Sequence, residues 1–335
     1  MKAKTIGAFL ALIVIWIIYN RVGAVSITFN EMYTAFLHKL LEPSQLSMTE
    51  QIFTDIRLPR SLLTLGVGAS LAVGGVLLQG LFLNPIVEPG LIGTSGGAAF
   101  GAALYFTLGA SLDFGGGDWA LPFMAFIGGM AATWLVYLLA ENKSKSTSVI
   151  YLLLVGVAVN ALFLSGIGFL SYIARDPQAR SITFWNLGTT SGATWFSVVI
   201  VLSVLLVCMA IAIHYSKQLN ALMLGNEEAH YLGVDIKRLK FIILFINVVL
   251  VSVATAFTGV IAFVGLIVPH LVRVFLGSDT RLLLWGSAVL GAILLLVADI
   301  LARTLLTPAE LPIGIVTTIV GAPLFISLLK KSNYV

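Results

Sequence analysis

FIILFINVVLVSVATAFTGVIAFVGLIVPHLVRVFL, residues Phe241–Leu276, is an apolar run of 36 residues. As one α-helix it would be ~54 Å long at 1.5 Å per residue, against a hydrocarbon core of ~30 Å. Thr258-Gly259 supplies a breaker near its middle, so the run predicts two membrane crossings. Further apolar windows lie at approximately Ile6–Tyr19, Ser61–Leu83, Leu91–Leu108, Trp119–Ala140, Val149–Ile173, Trp195–His214, Leu282–Leu301 and Ile313–Leu329. With the split run they make ten spans, and ten spans put both termini on one side.

The composition agrees with a chain that lives in lipid. Of 335 residues 59% are hydrophobic and 10% charged, with a mean hydropathy of +1.03, where soluble domains carry roughly 25% charge. That deficit excludes an ordinary soluble enzyme, a nucleic-acid-binding domain and a disordered linker. The single cysteine, Cys208, excludes a disulfide framework and a cysteine metal cage. The first window, preceded by Lys2 and Lys4, also fits a signal peptide, but no convincing small-residue cleavage site follows it, so it reads as an uncleaved span.

Charge orients the bundle. With the N-terminus cytoplasmic, twelve Lys and Arg fall inside (Lys2, Lys4, Lys143, Lys145, Lys217, Lys237, Arg238, Lys240, Arg273, Arg281, Lys330, Lys331) and seven outside (Arg21, Lys39, Arg57, Arg60, Arg175, Arg180, Arg303). That bias follows the positive-inside rule, and nine or eleven spans would put the Lys330-Lys331 tail outside. The predicted fold is therefore an all-α polytopic membrane protein, one transmembrane domain over residues 1–335 with both termini cytoplasmic. Outside, Asn30 can cap an amphipathic helix over about 30–42 that lies on the membrane surface, with Met32, Tyr33, Phe36, Leu37 and Leu40 on one face.

The chemistry is sparse. No G-x-x-x-x-G-K-[ST] or H-E-x-x-H occurs, and four scattered histidines make no metal set. The G-T-S-G-G run at Gly93–Gly97 has no base nearby, and close helix packing is its preferred reading. The 32 glycines suggest a tight bundle, although any single one is equally well explained by their abundance in membrane helices. Asp299 is the only acidic residue deep in a span. Four residues from Arg303, it predicts an intramembrane ion pair in preference to a proton relay. A chain so short of intramembrane carboxylates needs a partner to supply energy. A secondary transporter or channel working alone, driven by an ion gradient, is the alternative class.

Two surfaces are candidates for partners. In the cytoplasmic loop, about 215–240, Leu219, Leu222 and Met223 make a short apolar face and Gly225 breaks the helix. Asn226 caps a second helix with Glu227 and Glu228 in its first turn, and Gly233 ends it. Such helices suit either a docking partner or the membrane surface. On the outer side Arg57 and Arg60, three apart, and Arg303 oppose the topological bias. They read either as snorkelling to lipid phosphates or as docking an acidic extracytoplasmic partner.

Five motifs in order carry a family resemblance: R-L-P-R at Arg57–Arg60, N-P-I-V-E-P-G at Asn84–Gly90, G-V-I-A-F-V-G-L-I-V-P-H-L-V-R at Gly259–Arg273, A-D-I-L-A-R at Ala298–Arg303 and E-L-P-I-G-I-V-T-T-I-V-G-A-P-L-F at Glu310–Phe325. Over nearly its whole length the chain resembles the ten-span permease subunits of type II ABC importers for vitamin B12, iron-siderophores and haem. Asn84, Pro85, Glu88, Pro89, Gly90, Pro269, His270, Asp299, Pro312 and Gly314 are the structural positions of these motifs. The resemblance implies a homodimer, or a pair with a close paralogue, in a prokaryotic cell membrane, with the pathway at the subunit interface. It also implies cytoplasmic ABC ATPases docked on the loop matching 219–233, and a binding protein outside whose acidic residues pair with Arg57, Arg60 and Arg303. A cytoplasmic gate is implied near Ser146, Thr147 and Ser148, although the spacing that follows departs from the vitamin B12 permease. The chain itself is expected to bind no metal or cofactor, with ATP and Mg²⁺ on the ATPase. An iron-siderophore is favoured as ligand on the frequency of such systems, with haem and vitamin B12 as alternatives.

Overall fold

The computed structural model describes residues 2–23, 25–41, 46–109, 117–140 and 149–331. Its helices are α1 (Lys2–Arg21), α2 (Phe29–Leu41), α3 (Met48–Gln51), α4 (Leu58–Phe82), α5 (Thr94–Leu104), α6 (Gly117–Ala140), α7 (Val149–Ile173), α8 (Asp176–Asn186), α9 (Trp195–Leu222), α10 (Asn226–Tyr231), α11 (Ile236–Thr258), α12 (Val264–Leu276), α13 (Thr280–Thr304) and α14 (Ile313–Lys331). Each of the ten apolar windows holds one of these helices. Among the described residues six stretches are long and apolar enough to cross a bilayer: the continuous Met48–Phe82 and the helices α6, α7, α9, α11 and α13; α1, α12 and α14 contain shorter apolar segments.

The long apolar run divides where expected. Thr258 ends α11, Gly259 takes φ +71°, and α12 starts at Val264 after Phe263 at φ +68°. The break is wedged against neighbouring backbone. Thr189 N–H donates to Thr258 O at 2.7 Å, and a Cβ on Gly259 would lie 2.1 Å from Trp185 O.

α4 is the axis of the bundle, buried along nearly its whole length and packed by α9, α11, α12 and α13. With no hydrophobic effect between helices in lipid, close backbone approach and its dispersion contacts hold such a bundle. A Cβ on Gly68 would sit 2.3 Å from Gly291 O of α13, and one on Gly75 would sit 1.8 Å from Gly265 O of α12. Pro269 helps make that second contact. It has no N–H for the carbonyl four residues back, so Gly265 O is released from the helix ladder. Gln79 Nε2 donates to it at 3.4 Å and to Leu266 O at 3.3 Å.

Three local expectations are corrected and one helix is added. The outer helix is capped by Thr28 and not Asn30: Thr28 Oγ1 accepts from Glu31 N–H at 3.3 Å while the Glu31 carboxylate accepts from Thr28 N–H at 2.7 Å. Leu219 and Leu222 form the last turn of the 28-residue α9, not a separate short helix. Asn226 is the first residue of α10, and Gly225, at φ +127°, precedes it. Asp176-Pro177 starts α8, a helix that the hydropathy scan passes over because it is too polar and short to register.

Candidate functional site

Three places gather the chemistry: a buried ionic cluster at one end of the bundle, a cavity in its middle and an exposed surface at the other end. In the cluster, Asp299, 1% exposed, is held by two helices and a loop. Arg60 grips it as a fork, Nη2 donating to Oδ1 at 2.9 Å and Nε to Oδ2 at 3.0 Å. Thr190 Oγ1 donates to Oδ1 at 2.8 Å and the Tyr19 hydroxyl to Oδ2. Arg60 also bonds Glu310, which is half-exposed, at 3.0 Å.

The expected Asp299–Arg303 ion pair does not form. A four-residue spacing permits it, but the carboxylate turns to α4, where one guanidinium offers two parallel donors. Arg303 reaches α1 instead, donating to Tyr19 O and stacking over the Tyr19 ring at 4.0 Å. Arg57 also closes on the end of α1, donating to Asn20 O at 2.9 Å and Arg21 O at 3.2 Å, and on the segment that follows it, donating to Val25 O. All three arginines are therefore buried, with internal partners. Arg21, Lys39, Arg175 and Arg180, from the same predicted outer set, are exposed. Tyr19, Thr190 and Glu310 escape a sequence reading because each lies in a different segment from the charge it serves.

In the middle, the motifs Asn84–Gly90 and Gly259–Gly265 meet around a cavity of about 500 Å³. Asn84 Oδ1 accepts from Ile86 N–H at 3.0 Å, so the side chain makes the turn that leads out of α4. Glu88 and Phe263, one from each motif, share the cavity wall. Asn160 of α7 donates to Gly90 O at 2.8 Å. Glu88, Ser95, Asn160 and Asn186 are the polar groups on the wall, set among apolar residues that include Pro89 and Phe263. Pro85 lies in the same turn, and His270 is half-buried on α12. Pro312 and Gly314 start α14, where Gly314 N–H donates to Leu187 O at 3.1 Å. Asn160 and Asn186 were missed; the legible signal for Asn160 is an amide inside a window otherwise almost wholly apolar.

At the other end, Leu219 and Leu222 are buried and fix the end of α9, and Ala229 and Val234 anchor α10 beneath. What faces outward is Met223, Leu224, Glu227, Glu228, Tyr231 and Leu232, with Tyr231 88% exposed. Gly225 and Gly233, at φ +127° and +82°, turn the chain on either side of α10. The gate positions Ser146, Thr147 and Ser148 lie outside the described residues.

A helical bundle with an apolar exterior, a lined cavity and clamped ends is that of a multi-pass membrane permease. Residues 11–331 match the FecCD transport family, and the chain belongs to that family. It is the permease subunit of an ABC importer and not itself an ATPase. The hemin transport system permease protein HmuU of Yersinia pestis is 39% identical over 329 residues, 98% of this chain and 96% of that one. The vitamin B12 import system permease protein BtuC of Vibrio vulnificus is 36% identical over 332 residues, 99% and 95% of the two chains. A solved inward-facing structure of a metal-chelate type ABC transporter superposes with a TM-score of 0.85 at 33% identity, covering 99% of this chain and 100% of that one.

Proposed function

We propose that this permease forms half of the membrane pathway for a large iron chelate, a siderophore complex or hemin, driven by a cytoplasmic ATPase and fed by an extracytoplasmic binding protein. The match of residues 11–331 to the FecCD transport family carries the ATP-driven reading, and the state of Asp299 supports it. The one acidic residue deep in an apolar helix is closed off by Arg60, Tyr19 and Thr190, which leaves it no freedom to carry a proton or sodium ion. Ten spans with both termini cytoplasmic fit the ten helices and the charge bias. Exposed apolar side chains on α7 (Leu154, Val157, Leu162) and α14 (Ile319, Val320, Ile326) support broad contacts with lipid and with a second permease subunit. ATP and Mg²⁺ belong on the ATPase in this reading.

The iron-chelate assignment is supported by the hemin permease among the relatives; cobalamin is the second reading, supported by the vitamin B12 permease. Purified permease, ATPase and binding protein in vesicles should take up hemin or a ferric siderophore only with ATP. Uptake of cobalamin alone would replace the ligand, and uptake driven by an ion gradient without ATP would replace the mechanism.

In the same reading the surface of α10 receives the ATPase, and the outer end receives the binding protein. Arg60 is neutralised by Asp299 and Glu310, so Arg57 and Arg303 are the sources of positive field beneath that outer surface, with Arg175 and Arg180 as the exposed contacts. Tyr231→Glu with Leu232→Glu should reduce ATPase recovered on the tagged permease about tenfold, as expected when charge enters the apolar centre of an interface. Equal recovery would move the docking surface elsewhere.

A further inference from the structure

α13 is fastened at both ends by directional polar bonds between side chains. At its start, Asp279 Oδ1 accepts from Arg281 N–H at 3.0 Å and Leu282 N–H at 3.2 Å, capping the helix. Its other oxygen accepts from Asn220 Nδ2 at 3.0 Å. Asn220 Oδ1 in turn accepts from Thr280 N–H at 2.9 Å and from the Thr280 hydroxyl. One amide thus spends its donor and its acceptor on the junction between the last turn of α9 and the first of α13. Beyond Asn220 the chain passes Gly225 directly into α10.

At the far end, twenty residues and ~30 Å along the same helix, Asp299 joins α13 to α4, α1 and the loop before α9. Between these ends Gly291 meets Gly68 backbone to backbone, which leaves little room for the helix to bend. Apolar contacts tolerate sliding, whereas a bonded amide resists translation along the helix axis.

We propose that Asn220 is a positioning residue that passes displacement of the α10 surface to α13, and that α13 carries it as a strut to the ionic cluster at the opposite face. The inference rests on the reading of α10 as the ATPase-docking surface. Asn220→Asp in the assembled permease, ATPase and binding-protein complex sets a carboxylate against Asp279 and removes the donor. Loss of a charge-assisted hydrogen bond corresponds to about tenfold, so substrate transported per ATP hydrolysed should fall by about that factor. ATPase recovery and basal hydrolysis should stay within about twofold, since neither depends on the bond that carries the movement. Adding Asp279→Asn reverses donor and acceptor while keeping an N-cap side chain, and should restore most of the transport.

Parental coupling in the single variant would overturn the proposal. So would parallel loss of ATPase recovery, hydrolysis and transport, which would make Asn220 merely structural, or failure of the reciprocal pair to rescue. If the parental chain itself captures no ATPase through α10, the docking reading falls and the strut with it.

Discussion

Replacing Asp299 with alanine should lower the stability of the folded permease by about 3–5 kcal/mol, the usual result of removing one partner of a buried ion pair. The substitution strands more than a charge. Arg60, the Tyr19 hydroxyl and the Thr190 hydroxyl all donate to this carboxylate, and alanine leaves three buried donors short of an acceptor. Glu310 retains Arg60 only from a half-exposed position. The control follows from the same geometry: Glu310→Gln keeps the buried fork, and an ion pair open to solvent contributes about 1 kcal/mol or less. Thermal unfolding of the purified permease in detergent should therefore separate the variants widely, Asp299→Ala far below the parent and Glu310→Gln close to it. Unfolding of Asp299→Ala at the parental temperature would mean that the cluster is not what joins α1, α4 and α13. For the same reason, charge reversal at Arg57, Arg60 and Arg303 would disturb the end of the bundle as well as any docking, and Arg175 and Arg180 are the cleaner sites for a docking test.

Gly75→Ala should be the most damaging glycine-to-alanine change among the described residues. The new Cβ would lie 1.8 Å from Gly265 O and 2.6 Å from its carbonyl carbon, both backbone atoms that no rotamer change can move. α4 and α12 would have to separate, which costs about 3 kcal/mol or more for overpacking of this kind. Separation would also strip the Gln79 bonds to Gly265 and Leu266 and the Arg273 bond to Gln79. Gly7→Ala and Gly168→Ala supply the contrast, since a Cβ at either position meets nothing within 4 Å. Both should be neutral or stabilising, by up to about 1 kcal/mol from the lower conformational entropy of alanine in a helix. The measurement is the yield and unfolding temperature of monodisperse protein. Equal behaviour of all three variants would show that the α4–α12 contact relaxes at little cost.

These variants mark where sequence reasoning stopped. The ten helices were legible because apolar runs bounded by polar loops are a one-dimensional property, and even the division of Phe241–Leu276 followed from length against bilayer thickness. The α10 surface was legible in outline, because glycine on either side of a short polar helix is a local signal. Which of its side chains are exposed was not. Leu219 and Leu222, which looked like an apolar docking face, are spent inside on holding α9, and Tyr231 and Leu232 stand outside in their place.

The ionic cluster was misread for a related reason. Four-residue spacing is visible in a sequence, so Asp299 was given Arg303; its true partner is 239 residues away on another helix. The motifs Asn84–Gly90 and Gly259–Gly265 were each conspicuous, yet nothing local says that they share one cavity.

By itself, then, the sequence determined that this chain is a bundle of apolar helices, sparing of charge within its spans, with a basic side and a short helical loop between α9 and α11. Hydropathy and charge bias act residue by residue along the chain, and those properties follow from them. Only the tertiary structure decided which glycines carry the packing, which guanidinium holds Asp299, and which side chains of the loop between α9 and α11 remain outside. Backbone proximity and the pairing of buried charges are set by the crossing of helices distant in sequence, and no local pattern encodes them.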